Sequence, residues 1–306
     1  MVVLVSGART IVPTASTPRH AVYIVGYVIN AIAKCLDAMG SIFHFLSRLL
    51  TELLPAVLAP ARLNALTRTR YDKWHFNTEA RVALGVGLLS WESELLDHYN
   101  IRSGRMLVLG AGCGRETIAL ARRGLAVIGV EINDNAIHAA SRMARQTGVQ
   151  ARFHRADFLR LPYKTASFDY LLLSSIMYSA IPGRSLRQVW LWNMLRVLSP
   201  GGLAILSFEA RHHPRSRLGR LRIRITQTLA GLPGANPAYQ PGDNCEQRGH
   251  FIHTFEDEGE IRTEFTGAGA GIRAVDWKRG FAVLVAPPVP GTGLQEPVPT
   301  FQAESS

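Results

Sequence analysis

The sequence predicts an α/β fold: a seven-stranded, mainly parallel sheet with helices on both faces, preceded by an N-terminal helical extension. Three observations carry this. Apolar runs of strand length alternate with helical patterns from about Tyr71 to Phe208, and strands covered on both faces read as continuous apolar runs. A glycine-rich turn joins the first of those runs to the helix behind it. Two further strands flank an Arg279-Gly280 turn. The 306 residues are 47% hydrophobic and 19% charged, enough for a large core and too apolar for a mainly disordered chain. Three scattered cysteines (Cys35, Cys113, Cys245) exclude a disulfide scaffold and a four-cysteine zinc site.

Residues 1–20 carry Pro, Ser and Thr without helical periodicity and read as a flexible tail. Arg9 and Arg19 precede an apolar run ending in Ala31-Ile32-Ala33, the outline of a secretion signal, but the basic region is too long for one. The uncharged run before Lys34 is about 13 residues, short of the roughly 20 that span a bilayer. Residues 21–70 read instead as an amphipathic helix and a linker. Ile24, Val28, Ile32, Leu36, Met39, Phe43, Leu46, Leu50, Leu53 and Val57 step by threes and fours onto one stripe. Pro55 and Pro60 mark its end. Packing on the main domain, a homodimer contact and peripheral membrane contact through residues 21–58 compete for that stripe. Lys34 and Arg48 are balanced by Asp37 and Glu52, which removes the cationic face that anionic lipid needs and favours the first two readings.

The main domain, 71–287, opens with a helix from Asn77 to about Tyr99. A strand at 106–110 (MLVLG) precedes a helix from about 115 to 123, and AVIGVE (126–131) precedes a helix from Asp134 to 146. Short strand character near Ala151–His154 is followed by FDYLLLS (168–174), a helix from about Ser185 to Leu198, and LAILSF (203–208). The basic stretch 211–224 contains a helix, 231–249 is a loop rich in Gly and Pro, and Phe255 to about Phe265 is helical. Strands at 272–278 and 280–286 close the domain, and the proline-rich residues 288–306 read as a disordered tail.

The decisive segment is Val108-Leu109-Gly110-Ala111-Gly112-Cys113-Gly114-Arg115-Glu116. Glycines between a buried strand and a helix let the backbone approach a ligand at the helix N-terminus. Glu131 ends the next strand, where a carboxylate accepts both hydroxyls of a ribose. The dinucleotide fingerprint would place its third glycine at 115, which is Arg115; here the third is Gly114, and the spacing suits a cofactor without a pyrophosphate.

On these residues, 71–287 resembles a class I S-adenosylmethionine-dependent methyltransferase of the bacterial small-molecule type. The resemblance implies a Rossmann-like fold and S-adenosyl-L-methionine as cofactor. Gly110, Ala111, Gly112 and Gly114 would lie under its methionine part. Glu131 would bind the ribose, with Ile132 flanking adenine. Asp157 in Ala156-Asp157-Phe158 would take the adenine amino group, with Phe158 beside it. Ser174 would stand on the loop toward the acceptor, and Leu198-Ser199-Pro200-Gly201-Gly202 closely matches the family's turn before the fifth strand.

No invariant base follows from such a fold, because methyl transfer is an in-line displacement for which the cofactor brings the activated group. Tyr178, His212, His213, His250 and His253 are the candidates in the loops beyond strands four and five. Cys245, His250 and His253 match no standard zinc spacing, so no metal is expected. A net charge of +11 suggests nucleic acid as a rival substrate. However, Ser175-Ile176-Met177-Tyr178 lacks the proline pair that marks base-amino methylases. A small or lipid-like acceptor in the cytoplasm, with membrane association left open, is the expectation. A nucleic-acid methyltransferase and a non-catalytic binding module are the alternatives.

Overall fold

The computed structural model describes residues 17–72, 85–246 and 250–288. Contacts divide the chain into two units, Met1–Leu50 and Thr51–Ser306. The expected N-terminal tail through residue 16, the start of the helix placed at Asn77, and the tail from 289 lie outside the described residues.

The amphipathic extension forms a single helix, α1 (Thr17–Val57). Within the first unit its apolar stripe is exposed at Ile32, Leu36, Met39, Phe43 and Leu50. The helix ends at Val57, between the two prolines expected to mark its end, with Pro55 in the last turn. The Pro55 carbonyl accepts from Asn236 Nδ2 at 2.7 Å. Pro60 opens a second helix, α2 (Pro60–Asp72), rather than a linker; proline suits the first helical position, where no N–H is needed. Among the described residues no helix is long and apolar enough to cross a membrane.

The second unit is built on a seven-stranded sheet. Its strands are β1 (Arg105–Leu109), β2 (Ala126–Glu131), β3 (Arg152–Arg155), β4 (Phe168–Leu173), β5 (Leu198–Ser207), β9 (Gly271–Asp276) and β10 (Phe281–Val285). They lie in the order β3-β2-β1-β4-β5-β10-β9. The first five are parallel to one another, and β10 runs antiparallel to both β5 and β9.

Successive strand residues point to opposite faces, and both faces are covered. Leu107, Leu109, Leu171 and Leu173 pack with Trp190, Leu191 and Met194 of α6 (Arg184–Arg196). Met106, Val108 and Leu172 pack with Leu95 and Leu96 of α3 (Ser90–His98) and Leu120 of α4 (Arg115–Arg122). α5 (Asp134–Gln146) lays alanines 136, 139, 140 and 144 inward, and Asn133 caps it by accepting from Ala136 N at 3.1 Å.

Several boundaries move. The helix expected through Tyr99 is interrupted: residues 85 and 86 are helical, Gly87 then takes φ +61° and Leu89 is extended, and a separate helix runs from Ser90 to His98. The helix in the basic stretch is α7 (Arg217–Ala230), capped by Ser216. Residues 231–249 are not all loop: β7 (Asp243–Glu246) pairs antiparallel with β8 (His250–Phe255), which pairs parallel with β6 (Glu209–Ala210). Phe255 therefore belongs to a strand, and α8 (Glu258–Gly267) starts after the Asp257 cap.

Candidate active site

The turn between β1 and α4 brings three glycines into the left-handed region, with φ of +63° at Gly110, +48° at Gly112 and +86° at Gly114. Glu131 stands opposite, at the end of β2. Its Oε2 accepts from Gly112 N at 2.9 Å, and its Oε1 accepts from Ile132 N at 2.8 Å and Asn133 N at 3.0 Å. Backbone donors thus orient the carboxylate while Oε2 keeps acceptor capacity, since a carboxylate offers about four lone-pair sites. Asp157, beyond β3, accepts from Leu159 N at Oδ1 (2.9 Å) and from Arg68 of α2 at Oδ2 (2.6 Å). These groups line a cavity of about 520 Å³, within the roughly 300–1,000 Å³ of small-molecule pockets.

Gly110, Ala111, Gly112, Glu131, Ile132, Asp157 and Phe158 all line this cavity. Gly114 and Ser174 do not. Gly114 serves packing: a Cβ there would stand 2.9 Å from the Phe153 ring and 3.1 Å from Ala140. Ser174 is buried behind the wall and donates to Glu92.

The catalytic candidates separate. Tyr178 is wholly buried, donates to Glu264 at 2.6 Å, and stacks with Phe255. Burial, followed by the Glu264 charge, drives its pKa well up, so it stays protonated. His253 is wholly buried between Asp243 (2.7 Å) and Glu260 (3.3 Å), a structural clamp. His212 and His213 are exposed on the loop before α7. His250 alone approaches the cavity, its Nε2 lying 3.2 Å from the hydroxyl of Tyr71, a lining residue.

Several site residues carried no sequence signal. Asn64, Thr67, Arg68 and Tyr71 of α2 wall the cavity, and α2 is anchored where Thr67 Oγ1 accepts from Phe251 N at 3.1 Å. Arg115, in the place of the missing glycine, pairs with the buried Glu92 at 2.9 Å and also contacts Glu116. Burial first, then the neighbouring Glu92 charge, pushes the Glu116 carboxyl up against the opposing pull of Arg115. At the end of β4, Ser175 and Ile176 take successive φ values of +57° and +52°. Such strain costs of order 1–3 kcal/mol per residue and concentrates at functional sites; Ser175 lines the cavity.

Residues 106–202 match the family described as methyltransferase domain. An uncharacterized methyltransferase of Mycobacterium sp. (strain JLS) is 34% identical over 132 residues, 43% of this chain and 48% of the relative. The chain thus spans about half the length of that protein. A demethylmenaquinone methyltransferase of Tropheryma whipplei (strain Twist) is 30% identical over 181 residues, 57% of this chain and 68% of the relative. The chain belongs to the class I S-adenosylmethionine-dependent methyltransferases. Its fold is also that of 1,6-didemethyltoxoflavin-N1-methyltransferase from Burkholderia thailandensis, at 18% identity and TM-score 0.50 over 75% of this chain and 90% of the other.

The family's cofactor, S-adenosyl-L-methionine, fits the residues present. A Cβ on Gly112 would meet only Gly110 O, at 4.0 Å, so the space above the glycine turn belongs to the cavity. The donor set also suits the ligand: Glu131 and Asp157 both retain acceptor sites for hydroxyl and amino donors.

Proposed function

We propose that this methyltransferase acts on a small, weakly polar acceptor, and that Gly110, Gly112, Glu131, Ile132, Asp157 and Phe158 hold the cofactor. One observation carries the reading. Besides the glycine turn, the carboxylates Glu116, Glu131 and Asp157 and polar residues of α2, the cavity is lined by Phe158, Leu159, Met177, Ala180 and Ile181. A concave cavity of this size, with such an apolar group beside its charged residues, suits a small organic molecule better than a polynucleotide. The name of the Tropheryma whipplei relative, demethylmenaquinone methyltransferase, supports an acceptor of this kind.

When bound, S-adenosyl-L-methionine supplies a sulfonium-activated methyl group. The chain's own part is to orient and to shield. Glu131 and Asp157 accept hydrogen bonds from the cofactor's hydroxyl and amino groups, and α2 keeps water from the reacting atoms. Tyr71, hydrogen-bonded to His250, is the group placed to receive a proton from the acceptor and pass one on to the imidazole. His250 Nδ1 stands 3.9 Å from Glu246, a carboxylate that stabilises the imidazolium so formed.

Calorimetric titration with S-adenosylmethionine and S-adenosylhomocysteine, with NAD as control, tests the cofactor site. Labelled methyl transfer to quinones, small aromatic amines and total tRNA then tests the acceptor class. Transfer to tRNA alone would overturn the acceptor reading, and equal transfer by Tyr71→Phe would remove Tyr71 from the proton path.

A further inference from the structure

The basic stretch finds no use in the site just described. In α7, Leu218, Leu221 and Ile225 follow an i, i+3, i+7 spacing that aligns them on one stripe. All three are exposed, Leu218 at 77%, and Leu232 beyond the helix end is exposed at 55%. Arg217, Arg220 and Arg224 repeat the same spacing one residue earlier and are also exposed, forming a basic stripe alongside the apolar one. Among the described residues none of the three pairs with a carboxylate, whereas Arg211 and Arg215 pair with Glu256 and Arg222 pairs with Glu52. The inward face holds Thr226, whose hydroxyl lies 2.6 Å from that of Tyr239. No Asp or Glu occurs between Glu209 and Asp243.

We propose that α7 docks this protein on an anionic membrane surface, its leucines and isoleucine entering the headgroup–acyl boundary and its arginines meeting lipid phosphates. The combination decides the occupant. An apolar stripe beside arginines is what an interfacial helix presents to lipid, and binding then draws on both apolar burial and charge. A protein face would require acidic complements to three arginines. A nucleic acid would gain nothing from four exposed aliphatic side chains, and α7 has no aromatic residue on which a base could stack. The stripe of α1 differs, because its Lys34 stands near Asp37 and it lacks such a run of uncompensated arginine.

The test is cosedimentation of the full chain with vesicles of phosphatidylcholine and with vesicles in which half of it is replaced by phosphatidylglycerol. The wild type should bind the anionic vesicles preferentially and release with added salt. Arg217→Gln/Arg220→Gln/Arg224→Gln should lose about a hundredfold in partitioning, since each basic residue at an anionic surface is worth about a factor of five. Leu218→Ser/Leu221→Ser/Ile225→Ser should lose at least about tenfold through the apolar contribution. Both triple variants alter exposed positions, so their melting and S-adenosylhomocysteine affinity should match the wild type. Equal binding to neutral vesicles, or wild-type binding by either variant, would overturn the proposal. So would conversion of a dimer to a monomer by the serine variant with vesicle binding unchanged, or tighter binding to a random RNA oligomer lost in the same variants. Because this readout involves no methyl transfer, its failure leaves the acceptor reading untouched.

Discussion

Asp157 is held between two partners, Leu159 N on one oxygen and Arg68 on the other. Asp157→Ala should weaken S-adenosylhomocysteine binding by about 1–3 kcal/mol, the cost of leaving a ligand donor without its acceptor. Glu131→Ala should do the same, and unchanged calorimetric affinity in both folded variants would refute the assignment. Glu116 offers a pH test. Its carboxyl is pushed up by burial, so it stabilises the fold below its unfolded pKa, and that contribution is lost as pH rises through the folded value. Urea stability of the cofactor-free protein should therefore fall above the usual carboxylate range, and Glu116→Gln should flatten that fall. Cys245 is buried with Leu63 and Phe251, and burial pushes its thiol up to about 12. Iodoacetamide should label exposed Cys35 in the native protein and reach Cys245 only on unfolding. At this scale the glycines and two acids were legible because a strand, a tight turn and a helix fix their spacing locally. Arg68 was not, since it meets Asp157 from 89 residues away.

Among the elements, α2 shows why part of the site stayed hidden. Its sequence, PARLNALTRTRYD, has no continuous apolar stripe, because Asn64, Thr67, Arg68 and Tyr71 face a cavity rather than a core. Periodicity finds helices that bury an apolar face, and this one buries only Leu63 and Thr67, with Asn64, Thr67, Arg68 and Tyr71 on the cavity and Ala61, Arg62, Ala65, Leu66 and Thr69 exposed. The β7 strand hid for a related reason: Asp243 and Asn244 sit in it because Asp243 accepts from Gln240 N and contacts His253. The α6–α8 junction carries the chief energetic prediction. Arg187, fully buried, meets Glu264 at 2.7 Å, and Tyr178 donates to the same carboxylate. Arg187→Ala should cost about 3–5 kcal/mol in denaturant unfolding, because it strands a buried charge. Tyr178→Phe should cost only about 1 kcal/mol and leave methyl transfer intact. A lost rate in that variant would return Tyr178 to the chemistry.

For the molecule as a whole, the parallel core was the most legible part. Strands such as MLVL and YLLL are apolar throughout because helices cover both faces. The order of the strands was not legible, since it depends on pairings across the whole chain. That order sets a condition on synthesis. β10, made after every other strand in the sheet, lies between β5 and β9, and its five residues pair with Leu203–Ser207 on one side. Until residue 285 leaves the ribosome, β5 has an open edge of apolar residues, and the nascent chain carries an unfinished sheet that invites pairing with a neighbour. A polypeptide arrested after Asp276 should therefore depend on chaperones for solubility in a way that one carrying β10 does not.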